Sequence, residues 1–136
     1  MTALLDTGFL LAVIDADDSL HAACTSALEA ESAPLLPDVV LPELAYLILR
    51  ELGYPALITL LRSVATRELV QAKSTLQDLE RAAEVLEKYA DSRVDFVDCA
   101  IVAMAERLNL TRILTVDRRH FTIFRPRHCD YFEIVP

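Results

Sequence analysis

The chain has 136 residues, of which 54% are hydrophobic and 25% charged, with only two glycines, a balance that excludes disordered, collagen-like and propeller-like classes and leaves room for a single domain, 1–136. Its 13 basic residues against 21 acidic ones give a net charge of -8, which opposes tight non-specific binding to a polyanion, because such binding rests on Lys and Arg neutralising phosphates. The apolar opening lacks a basic leader and a small-residue cleavage site, Pro42, Glu43, Arg50, Glu51 and Pro55 interrupt the later apolar stretches, and Cys24, Cys99 and Cys129 form no C-x-x-C pair. A cytoplasmic protein with reduced thiols and no membrane association is expected.

Ala3-Leu4-Leu5 reads as a buried strand that stops at Asp6, and Thr7-Gly8 turns the chain into a helix over about 8–15. Asp17, Asp18 or Ser19 is expected to cap a second helix to about Glu31, and Pro34 to Pro37 to bracket a very short strand or connector. Pro42 suits the first turn of a helix that Gly53 ends, and Tyr54-Pro55 opens another to about Ala65. Arg67 to Ala72 reads as a strand. Ser74 or Thr75 can cap the next helix, whose Leu76, Leu79, Ala83, Leu86 and Tyr89 recur at helical spacing and predict its inner face.

The segment from Asp95 to Leu108 is apolar nearly all round and predicts a buried helix closed by Asn109. Arg112 to Val116 is then a strand ending at Asp117, and Tyr131 to Val135 a last one. Strands alternating with helices imply an α/β fold with a mostly parallel sheet covered on both faces.

In open sheets of this kind, sites form beyond the carboxyl ends of the strands. Asp6 and Asp117 are placed there by apolar runs that stop at them, while Glu43 and Asp98 sit in first helical turns that lie at the same edge when the helix follows a strand. Carboxylates that converge repel one another and demand a cation; hard oxygen ligands select Mg2+ or Mn2+, and no His/Cys set has zinc spacing. Such an ion serves phosphodiester hydrolysis.

Each acid also has an ordinary structural reading: a strand-end turn for Asp6, a dipole partner for Glu43, a helix cap for Asp95 with Asp98 on the same dipole, a turn or salt bridge for Asp117. Thr7 and Thr115 flank the acids, where their hydroxyls either orient a water or phosphate or satisfy a turn amide. Arg112, Arg118, Arg119, Arg125 and Arg127, with His120 and His128, gather near the C-terminus, where a local basic rim can serve an RNA on an acidic body, with Arg118, Arg119 and Arg125 gripping phosphates, or the arginines solvate a surface or hold a protein partner.

The blocks L-L-D-T, P-E-L, D-F-V-D-C-A-I-V-A-M-A-E-R-L and I-L-T-V-D-R-R-H-F together resemble the PIN-domain nucleases, most of all the toxins of VapBC-type toxin-antitoxin pairs. The resemblance implies a three-layer α/β/α sandwich whose metal-binding and catalytic acids are Asp6, Glu43, Asp98 and Asp117, with Asp95 as a fifth ligand or a group behind the ligands. It implies Mg2+- or Mn2+-dependent endoribonuclease activity on tRNA or ribosomal RNA, a homodimer, and silencing by a small antitoxin protein. Asn109 stands where the family usually has glycine and Cys99 where it usually has alanine; both fit those roles. Apolar residues on more than one face of the helices between Leu41 and Val64 point to a dimer or antitoxin groove.

Leu4-Leu5-Asp6-Thr7-Gly8 also matches the D-T-G of aspartic proteases, but that all-β architecture needs glycine-rich flaps. A phospho-acceptor domain wants a lysine after a late strand, and the only lysines are Lys73 and Lys88. No P-loop, dinucleotide or G-x-S-x-G motif occurs. The competing function is a PIN-fold binding module that engages a protein or RNA without cleaving it; the presence of all the acids counts against it.

Overall fold

The computed structural model describes residues 2–136. Five short strands, β1 (Leu4–Leu5), β2 (Leu35–Pro37), β3 (Val70–Ala72), β4 (Arg112–Leu114) and β5 (Glu133–Val135), pair in the order β3-β2-β1-β4-β5. Every pairing is parallel, with Leu4 beside both Leu35 and Ile113, as the alternation of strands and helices implies. Such a sheet must be covered on both faces, because its crossovers are helical.

The coverage follows from strand order. The chain steps outward from β1 to β2 to β3, then returns to β4 and continues to β5. Right-handed crossovers therefore put α1 (Thr7–Ile14), α2 (His21–Glu29), α3 (Val40–Leu52) and α4 (Tyr54–Ala65) on one face. The other face carries α5 (Leu76–Lys88), a short 3-10 turn (Ala90–Ser92), α6 (Phe96–Leu108) and α7 (Arg118–Phe121). α1 packs on α2 and α3, and α5 on α6, as this three-layer α/β/α arrangement requires. One continuous core includes Leu4, Leu5, Phe9, Leu36, Leu44, Ile48, Ile101, Met104, Ile113, Leu114, Phe121 and Phe124. The direction of chain reversal lies between β1 and β4, and the switch point opens a crevice at their carboxyl ends.

Several boundaries differ from the sequence expectation, each for a local reason. α2 begins at His21 rather than behind an Asp or Ser cap, because the Asp18 carboxylate accepts the Leu20 amide in a turn of its own. Arg67 takes a left-handed φ of 63°, which postpones β3 to Val70. β4 stops at Leu114, because Asp117 belongs to the start of α7. The inner face of α5 is also shifted: Asp78, Ala82 and Val85 are buried, while Leu76 and Leu79 are 85% and 45% exposed and Ala83 faces water. Asp78 turns inward because it closes a capping box with Thr75 and receives Arg107 from α6 at 2.9 Å. Among the described residues, no helix is long and apolar enough to cross a membrane.

Candidate functional site

Asp6 ends β1 and caps α1: its amide donates to the Leu114 carbonyl at 2.9 Å, and its carboxylate accepts the Thr7 amide at 2.8 Å. Thr115, the residue after β4, donates its hydroxyl to Asp6 Oδ2 at 2.7 Å and accepts the Asp117 amide at 2.9 Å. One buried threonine thus fixes both strand-end acids across the switch point. Asp117 then caps α7 by accepting the His120 amide at 3.1 Å.

Asp98 arrives from the layer that carries α6. Asp95 is the N-cap of that helix, and its carboxylate accepts the Asp98 amide at 2.8 Å. The next residues are apolar and buried, so the first turn of α6 is pressed down with its acid, and Asp98 is only 4% exposed. Glu43 comes from the opposite layer, in the first turn of α3, with its carboxylate at the surface. These elements enclose a cleft of about 260 Å3 lined by Asp6, Thr7, Glu43, Asp95, Asp98 and Asp117, with Gly8, Leu47, Val97 and Val116 completing its walls. All the acids expected from the sequence border one space. Gly8 is tight there: a Cβ would lie 3.0 Å from Val116 Cγ2.

The electrostatics are those of a site short of positive charge. Burial raises the Asp6 carboxyl above its ordinary value, opposed by the Thr115 and Thr7 hydrogen bonds and reinforced by Asp117 and Asp95. Burial, then Asp95 and Asp6, push Asp98 up to about 7, although the His120 hydrogen bond pulls the other way. Buried acids held near one another favour their charged forms only when a cation joins them. The Thr7 hydroxyl, in a residue 4% exposed, has no hydrogen-bond partner and borders the same cleft. The oxygen-rich donor set fits a hydrated divalent cation.

The basic residues are arranged differently from an open rim. Arg112 pairs with Glu31 and Glu133, Arg127 with Glu84, and His128 Nε2 lies 2.6 Å from the Leu110 carbonyl. Arg125 turns its guanidinium onto the carbonyls of Thr122 and Phe124, and Arg118 donates to the terminal Pro136. Arg118 and Arg119 are exposed in α7, directly after Asp117, but neither lines the cleft. His120 is the departure that matters. It points inward, with Nδ1 2.8 Å from Asp98 Oδ2 and 3.2 Å from Asp117 Oδ2. Its signal in the sequence was the three-residue spacing from Asp117, which brings both side chains to one side of a helical turn.

The PIN domain family model matches residues 3–124. The chain belongs to the PIN-domain family. This PIN domain is 34% identical over 134 residues to Ribonuclease VapC26 of Mycobacterium tuberculosis, covering 98% of this chain and 99% of that protein. Its fold matches Mycobacterium tuberculosis VapC20, a sarcin-ricin-loop-cleaving toxin, with a TM-score of 0.83 at 18% identity over 100% of both chains. It also matches the DNA-bound VapBC of Salmonella typhimurium, with a TM-score of 0.70 at 18% identity over 98% of each chain.

Proposed function

We propose that this PIN domain is a divalent-metal-dependent endoribonuclease that hydrolyses phosphodiester bonds in tRNA or ribosomal RNA, as the toxin of a VapBC-type pair. The observation that carries the reading is the convergence of Asp6, Glu43, Asp95, Asp98 and Asp117 on one cleft at the switch point of the sheet. The full-length likeness to a named ribonuclease of the same family supports it. Asp6, Asp98 and Asp117, with Glu43 across the cleft, hold Mg2+ or Mn2+, and Asp95 acts mainly as the cap that aims Asp98. A cation there supplies charge neutralisation at the scissile phosphate and a more acidic water.

The protein's own part is positional. Thr115 sets the separation of Asp6 and Asp117, and Thr7, whose buried hydroxyl has no partner, lines the same cleft. Arg119, exposed in α7, meets the RNA backbone; Arg118, tied to Pro136, and Arg125, folded onto its own turn, contribute only after releasing those contacts. The acidic body keeps non-specific RNA affinity low, so substrate choice rests on RNA shape at the cleft.

The same reading includes a cytoplasmic setting, a homodimer and a small antitoxin partner. On the α1–α4 layer, Leu10, Val13, Ile14, Leu28, Pro55 and Leu60 line an apolar cleft of about 530 Å3, which suits an amphipathic antitoxin segment. Complexes of toxin and antitoxin among the matched folds support this partner class.

The test is cleavage of total cellular RNA by purified protein with Mg2+ or Mn2+, against EDTA and the Asp98→Asn variant, with new 5′ ends mapped. Discrete metal-dependent cuts that vanish in the variant are expected. Cuts that survive both EDTA and Asp98→Asn would overturn the metal-site reading, and no cuts with any RNA would favour a binding module.

A further inference from the structure

His120 is set in place by its own helix. Asp117 caps the single turn of α7, the His120 amide donates to Asp117 Oδ1, and the ring is turned toward Asp98 and Asp117. Nδ1 then lies 2.8 Å from Asp98 Oδ2 and 3.2 Å from Asp117 Oδ2. One donor atom from each of Asp98, Asp117 and His120 falls within 4.8 Å of the others. We propose that His120 Nδ1 joins Asp98 and Asp117 as a direct nitrogen ligand, making a carboxylate–imidazole site that favours Mn2+ over Mg2+. The inference rests on the metal-dependent reading above and adds to it a ligand and a metal preference.

The spacing fits that role. Neighbouring ligands on an octahedral ion with bonds of about 2.1 Å are roughly 3 Å apart. The two Nδ1 to carboxylate distances, 2.8 and 3.2 Å, bracket that edge. An imidazole nitrogen has at most one hydrogen to offer, yet two carboxylate oxygens face this one. A cation serves all three donors at once, with the ring proton on Nε2. Thr7 lines the cleft that Asp98 and Asp117 share, and its buried hydroxyl has no hydrogen-bond partner. Nitrogen donors favour transition-metal dications, whereas Mg2+ prefers carboxylate oxygen and keeps its waters. A site of acids alone has no such bias.

The experiment compares the metal-stripped wild-type chain with His120→Ala, His120→Asn and Asp98→Asn, each confirmed folded by circular dichroism. Mn2+ binding is measured by electron paramagnetic resonance and Mg2+ binding by competition. Pulsed resonance on protein labelled with 15N-histidine reports whether a ring nitrogen is bonded to Mn2+. Nitrogen coupling in the wild type is expected, with Mn2+ affinity falling on the order of tenfold or more in both His120 variants and Mg2+ affinity changing by less than about threefold.

His120→Asn retains a donor toward Asp98, so rescue by this variant would mean that His120 only positions the carboxylate. Bound Mn2+ without nitrogen coupling, or wild-type Mn2+ affinity in His120→Asn, overturns the nitrogen ligand. If Asp98→Asn still abolishes binding in that case, the acidic site stands. Failure of Mn2+ to bind the wild type, or full binding by Asp98→Asn, takes down the underlying metal reading as well.

Discussion

At the scale of single residues, Asp98 shows why a functional acid can be destabilising. Burial, Asp95 and Asp6 raise its carboxyl from 3.8 to about 7 in the folded protein. As pH rises through that window, the unfolded chain releases this proton first, so the folded state holds more protons and loses stability; above it the full penalty applies. Metal-stripped protein is therefore expected to melt at lower temperature at about pH 7.5 than at about pH 5 on account of this group. Asp98→Asn should flatten that decline and raise the melting temperature near neutral pH by several degrees while abolishing cleavage. Added Mn2+ should raise the wild-type midpoint and leave the variant's unchanged; differential scanning fluorimetry reads all of these, and a variant that melts lower than the wild type in EDTA at about pH 7.5 would contradict the account. Thr115 works in the opposite direction, since it supports Asp6 and Asp117 together. Thr115→Val should cost roughly 1–3 kcal/mol in urea unfolding, because the Asp117 amide and Asp6 Oδ2 both lose a partner, and should weaken metal binding by loosening the pair.

At the scale of elements, caps and punctuation were the most legible features and faces the least. Asp95 as N-cap, Asn109 in the left-handed conformation after α6, and Gly53 between α3 and α4 all follow from backbone chemistry that acts over a few residues. Gly53 has φ 87° and ψ -174°, a region essentially closed to residues with a Cβ. Gly53→Ala should therefore destabilise the protein by roughly 1–3 kcal/mol in urea, with cleavage by the folded fraction unchanged, since Gly53 lies outside the cleft. The buried face of α5 departs from its hydropathy pattern because hydropathy treats Asp78 as a solvated residue. Its partner Arg107 lies 29 positions away, and no local pattern announces that pairing. Once Arg107 and Thr75 satisfy it, Asp78 can be buried and Leu76 and Leu79 are left at the surface.

Across the whole molecule, the two helical layers divide the labour: the α5–α7 layer delivers Asp98 and His120, while the α1–α4 layer supplies Glu43 and the apolar cleft proposed for the antitoxin. Thr59 is exposed and lines that cleft away from the acids, so Thr59→Arg should weaken antitoxin capture by at least about tenfold and leave RNA cleavage intact. Calorimetry with the cognate antitoxin and a parallel cleavage assay would check both halves; undiminished capture would place the antitoxin elsewhere. The sequence by itself determined the alternation of strands and helices, the burial of α6, and the set of acids, because apolar periodicity, capping chemistry and motif order are local properties of the chain. Only the tertiary structure decided that Thr115 ties Asp6 to Asp117, that the basic rim is largely consumed in internal pairs, and that His120 faces Asp98. Those outcomes depend on which groups meet across the switch point of the sheet, and contacts between distant segments are set by packing and strand order rather than by any window of sequence.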